Sequence, residues 1–108
     1  MENQLSNQGQ QKSFNAAGRQ IQIKLSDEIL KGFYANAMQV MHSKEEFVLD
    51  FMNLSPAQGA GIVGSRVIMS PGHMKRVIVA LQENMAKYEG GFGKVEQADE
   101  PVEMGFKG

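Results

Sequence analysis

The stretch that narrows the fold most begins at Ser70-Pro71. Apolar residues then recur at helical spacing, at Met74, Val77, Ile78, Leu81, Met85 and Tyr88, and make a single stripe. Ser70 carries the hydroxyl of a good N-cap, able to accept an orphan backbone N–H. Pro71 sits at the first helical position, where its missing N–H costs nothing. Gly90-Gly91 predicts the stop. The helix expected is about 19 residues and roughly 28 Å long. Such a stripe needs an apolar surface to lie on, and the upstream sequence offers strands.

Ile21, Ile23 and Leu25 alternate with Gln22 and Lys24, the period-two pattern of a half-buried strand. Ser26-Asp27-Glu28 breaks the pattern, and a turn or one helical turn through Ile29 and Leu30 ends at Gly32. A second strand is expected within 33–42, with Tyr34, Met38 and Val40 on one parity and Ala35, Ala37 and Met41 on the other. Ser43-Lys44-Glu45 has hairpin length. Residues 46–53 then place Phe47, Leu49 and Phe51 on one face and Val48, Asp50 and Met52 on the other, with the aromatic and β-branched content of a strand. Residues 55–61 read as a loop. A fourth strand over 62–69 sets Val63, Val67 and Met69 against Ile62, Arg66 and Ile68. The fold class expected is α+β, an antiparallel sheet of about four strands followed by one long C-terminal helix packed on one face.

In a chain of 108 residues this is one domain, over 19–93. Residues 1–18, rich in Gln, Asn, Ser and Gly, read as a disordered polar tail. Residues 94–108, with Glu96, Asp99, Glu100 and Glu103, read as a flexible acidic tail. A folded part this small buries only about 60% of the surface its unfolded chain exposes, and such domains often gain stability by oligomerising. There is no cysteine, which excludes disulfides and thiolate metal sites. The net charge of -1 lacks the basic excess typical of nucleic-acid or anionic-membrane binders. Met1-Glu2-Asn3-Gln4 has neither the basic nor the apolar region of a secretory signal, and no apolar run approaches the ~20 residues of a membrane span. A cytoplasmic protein without membrane partners is the expectation.

Candidate chemistry is sparse. His42 and His73 are the only histidines, and no ligand spacing joins them to Glu45 or Glu46, so no metal is expected. Ser65, Ser70 and His73 are explained by a strand end, an N-cap and a first helical turn, without a nucleophile-elbow motif. The glycine-rich run 59–64 leads into a strand, whereas a dinucleotide fingerprint lies between a strand and a helix. No enzyme activity and no cofactor are expected. Asp50 and Arg66 would make a cross-strand ion pair if their strands are neighbours. Arg66, Ser70, His73, Lys75 and Arg76 gather basic groups and free N–H groups around the helix start, a candidate contact for an anion or an acidic partner.

The second sheet face is more informative. Ala35, Ala37, Met41, Val48, Met52, Ile62 and Ile68 would form an apolar patch with few charges, and such a patch on a small domain marks an interaction surface. Eight methionines, adaptable in packing, add to that reading.

Phe33-Tyr34-Ala35-Asn36, Glu46-Phe47-Val48-Leu49-Asp50-Phe51, Ser65-Arg66-Val67-Ile68-Met69-Ser70-Pro71 and Lys87-Tyr88-Glu89 before Phe92-Gly93 together resemble a small prokaryotic family, domain of unknown function 3467. The resemblance covers about 21–93 and implies a class but no activity. The strands-then-helix order is also similar to SecB-type export chaperones and to Pur- or Whirly-type single-strand binders, as a topological analogy without a shared motif. The function expected is a non-catalytic, homo-oligomeric protein-interaction module, adaptor-like or chaperone-like. The alternative is a single-stranded nucleic-acid-binding or regulatory protein, using Tyr34, Arg66, Lys75 and Arg76.

Overall fold

The computed structural model describes residues 10–16, by their backbone, and residues 18–99. Two strands, β1 (Gln10–Ala16) and β2 (Arg19–Leu25), form an antiparallel hairpin. A five-residue helix, α1 (Asp27–Lys31), follows. Three strands, β3 (Ala37–His42), β4 (Phe47–Ser55) and β5 (Ala60–Met69), make a second antiparallel sheet in that order. The last element is α2 (Pro71–Phe92). The protein is therefore of the α+β class, with an antiparallel sheet followed by one long C-terminal helix.

The chain divides into two compact units, Met1–Phe33 and Tyr34–Gly108, where one domain over 19–93 was expected. In the first unit β2 does not join the larger sheet. It pairs with β1 from Gln10↔Leu25 to Ala16↔Arg19, within the stretch assigned to a disordered tail. Gly18, just before β2, has φ 74°, a conformation glycine adopts without steric cost. β1 has the polar composition of a tail, so hydrophobic periodicity does not reveal it. The rest of the expected tail, residues 1–9, lies outside the described residues, as do residues 100–108 of the acidic tail. Residues 94–99 carry no helix or strand. α1 starts and stops as the sequence implies. The Ser26 hydroxyl accepts from Ile29 N–H at 3.3 Å, and Gly32, at φ 79°, ends it.

In the second unit the β3–β4 hairpin turns at Ser43. Its backbone N–H donates to Glu46 C=O, and its hydroxyl accepts from the N–H groups of Glu45 and Glu46. The β4–β5 hairpin is closed by a 3-10 turn, Pro56–Gln58, and by Gly59 in the left-handed region at φ 62°. Gly61 faces Leu54 across that hairpin, with the Leu54 side chain where a Cβ would stand. Gly59 serves the turn and Gly61 the close approach; Gly61 lies inside β5, which begins at Ala60, where a loop over 55–61 was expected.

The central strand β4 holds the core. Leu49, Asp50 and Met52 are the buried residues among those described, and all three belong to it. Asn36 extends the β4 pairing beyond the end of β3. Its backbone N–H donates to Met52 C=O, its side-chain Nδ2 donates to Leu54 C=O at 3.0 Å, and its Oδ1 accepts from Leu54 N–H at 2.8 Å. The amide thus copies the hydrogen bonding of a strand residue.

α2 is capped as the sequence predicts, with the Ser70 hydroxyl accepting from His73 N–H at 3.2 Å. It runs further than predicted, through Gly90 and Gly91 to Phe92, which makes 22 residues. The Tyr88 and Phe92 rings lie 4.9 Å apart at i,i+4 and span the two glycines. Gly93, at φ 100°, ends the helix, its N–H donating to Glu89 C=O. A glycine inside a helix costs about 1 kcal/mol relative to alanine, which an aromatic contact of this kind can partly offset. Pro71, Met74 and Val77 are half-buried, while the stripe from Ile78 onward stays open to solvent and no residue of the helix is fully buried.

Replacing Asn36 by alanine removes two hydrogen bonds to β4, for an expected loss of about 1–2 kcal/mol. Asn36→Asp keeps the acceptor for Leu54 N–H and loses the donor, so it should fall between the two. Urea unfolding at one fixed protein concentration measures both.

Candidate interaction surface

The strand register turns one face of the second sheet into a small grid. Met41, Val48 and Ile68 lie in one row across the three strands. Gln39, Asp50 and Arg66 form the next, and Ala37, Met52 and Val63 the third. Two apolar rows therefore flank a polar one. Five of the seven residues expected on this face are there: Ala37, Met41, Val48, Met52 and Ile68.

The other two are placed differently. Ala35 precedes β3 and belongs to no strand. Ile62 pairs with Asn53, on the opposite face. The register steps from Phe51↔Ser65 to Met52↔Val63, so Gly64 is an extra residue in β5, a β-bulge. A one-residue slip moves every later side chain to the other face. Val63 therefore replaces Ile62 on the grid. An isolated glycine inside a strand pattern was the available signal for the bulge.

The polar row is organised by one bidentate ion pair. Arg66 Nε donates to Asp50 Oδ1 at 2.6 Å and its Nη2 donates to Oδ2 at 2.8 Å. The two residues are direct register partners, as the sequence expectation required. The Asp50 side chain is almost fully covered, whereas that of Arg66 is 57% exposed. The hydrogen bond from Arg66 holds the Asp50 carboxyl below the ordinary aspartate range; burial opposes this, and the guanidinium charge adds to it. The same contact raises Arg66.

This pairing also bears on the candidate anion contact. Two of the nitrogens of Arg66 are committed to Asp50. Ser70 serves as the cap of α2, satisfying the His73 N–H. Arg76 Nη2 lies 3.0 Å from His73 Nδ1 and donates to it. Lys75 and Arg76 border a shallow groove with Val79, Ala80 and Glu83 along the helix.

Residues 1–97 match the family described as a protein of unknown function, DUF3467. The chain belongs to that family. The match takes in the β1–β2 hairpin as well as the sheet and helix, so the polar N-terminal stretch is part of the family unit. No curated protein and no solved structure matches this chain. In this DUF3467 member, no cluster of three or more His, Asp or Glu side chains able to hold a metal occurs among the described residues. Among the same residues, no helix is long and apolar enough to cross a membrane.

The lowered Asp50 carboxyl makes a signed prediction. A group whose folded pKa lies below its unfolded value stabilises the protein above the unfolded value, and that stabilisation is withdrawn as pH falls through the folded one. Stability should therefore decline below about pH 3.9, the ordinary aspartate value. In Asp50→Asn this contribution to the decline should be missing. Urea midpoints measured between about pH 2 and 6, at one protein concentration, compare the two proteins.

Proposed function

We propose that this chain is a non-catalytic, homo-oligomeric protein-interaction module, adaptor-like or chaperone-like in the way it uses an apolar surface. The observation that carries this reading is the exposure of the grid. Ile68 is 54% exposed, Val63 52% and Met41 40%, on a face whose polar groups are Gln39 and the self-neutralised Asp50–Arg66 pair. Large apolar side chains in the two rows that flank the polar one, with Asp50 and Arg66 already paired between them, favour removal of the whole face from water.

Other parts of the molecule support the same reading. Ile21 and Ile23 on β2 and the distal stripe of α2 are also open to solvent. Buried apolar side chains among the described residues are limited to Leu49 and Met52. A chain that closes so little core gains stability from association with further copies. The single-stranded nucleic-acid reading has less behind it. Arg66 is bonded to Asp50, Arg76 to His73, and the net charge is -1.

Ile68→Asp tests the proposal at an exposed position, where the monomer should tolerate the change. The wild-type chain should run as a stable oligomer by light scattering on a size-exclusion column, and Ile68→Asp should shift it toward monomer. Val48→Asp should do the same, with an added loss of monomer stability because Val48 is half-buried. An unchanged mass in Ile68→Asp would count against the sheet face as the contact.

A further inference from the structure

The open part of α2 has a pattern of its own. Met74, Ile78, Leu81, Met85, Tyr88 and Phe92 follow one another at spacings of four, three, four, three and four residues. These six residues fall on alternating d and a positions of a heptad frame, the arrangement of a helix–helix seam. From Ile78 onward the seam is uncovered: Leu81 is 65% exposed and Phe92 80%. We infer that α2 docks antiparallel against α2 of a second copy of this chain, along those six side chains. The inference rests on the homo-oligomeric reading above and adds a second contact, on a different surface.

Charge chooses the partner and its direction. In heptad terms Lys75, Gln82 and Glu89 occupy the e positions, and Val77, Asn84 and Gly91 the g positions. An antiparallel pair sets e against e and g against g. Lys75 then faces Glu89 of the second copy, twice by symmetry, and Gln82 faces its own copy. The layers become Met74 with Phe92, Ile78 with Tyr88, and Leu81 with Met85, each repeated across the two-fold axis. A parallel pair sets g against e, which brings Val77 to Gln82 and Asn84 to Glu89 and leaves Lys75 without a carboxylate. Glu89 already accepts from Val95 N–H through Oε2 at 2.9 Å, which fixes the side chain and leaves Oε1 for a lysine. Topology agrees with charge. Each sheet runs into its helix through Ser70 alone. Antiparallel helices carry the two sheets to opposite ends of a seam roughly 27 Å long, where they do not compete for space.

The chain has no cysteine, so single-cysteine variants report the pairing cleanly. Leu81→Cys and Met85→Cys proteins are mixed, exchanged, oxidised gently and analysed by mass spectrometry. The antiparallel seam brings position 81 beside 85 of the other copy and keeps like positions apart, so mixed disulfides should dominate. A statistical mixture, about half mixed, or a predominance of like-with-like pairs, or no cross-linking, overturns the inference. Lys75→Glu should loosen the dimer by roughly tenfold through two repulsive contacts, and adding Glu89→Lys should restore it. Light scattering separates this inference from the reading beneath it. A wild-type monomer sinks both. An oligomer that survives Leu81→Glu but not Ile68→Asp sinks only the helical seam, and the cysteine result decides the matter if Leu81→Glu does not fold.

Discussion

Strand β4 is the one strand of the larger sheet paired along both edges, and the buried residues among those described are confined to it. Leu49 is covered on one face, Asp50 and Met52 on the other. A sheet presents two faces, and a stable layer architecture covers the apolar ones. In this chain α2 leaves most of its own stripe uncovered, so it does not complete a layer over its length. The flanking strands β3 and β5 consequently keep Met41, Val63 and Ile68 in water. Most of the other properties follow from that shortage of internal cover, including the open helix.

The polar row between the two apolar rows has a physical role in this setting. An apolar face alone would accept many partners in many registers. Asp50 bonded to Arg66 introduces a position that tolerates only a neighbour able to leave the pair intact or to hydrogen-bond its free edge. Burying such a pair stabilises little in itself, since desolvation offsets the attraction. In the proposed interface its contribution would be selection, because misregistered contacts would press an aliphatic side chain on the exposed guanidinium. Gln39, beside Asp50 in the same row, adds an amide that must also find a partner.

Much of this was legible in the residues. The cap of α2 at Ser70, the hairpin at Ser43, the Asp50–Arg66 pair and the parity of β4 all follow from local chemistry, where a hydroxyl, a turn residue or strict alternation marks the position. Three features did not. β1 is polar, so its pairing with β2 is a backbone event with little trace in hydrophobicity. The Gly64 bulge exchanged Ile62 for Val63 on the grid, because period-two reasoning carries no memory of an inserted residue. The helix ran through Gly90-Gly91, where propensity argues for a stop, with the contact between Tyr88 and Phe92 spanning the glycines. The expected stripe residues were right, but sequence alone could not show that the sheet leaves them open from Ile78 onward.

Those two glycines have a consequence for how the end of α2 responds to its surroundings. Each widens the set of backbone states open to the last turn, so that turn is the part of the helix with the least free energy separating order from fraying. Whatever buries Phe92 and Tyr88 must first select the wound state, and each ring so covered withdraws the frayed states from the ensemble. Order at the C-terminal turn therefore becomes a function of occupancy. In the proposed assembly, covering the aromatic pair would tighten that turn through conformational entropy, without any movement of the sheet.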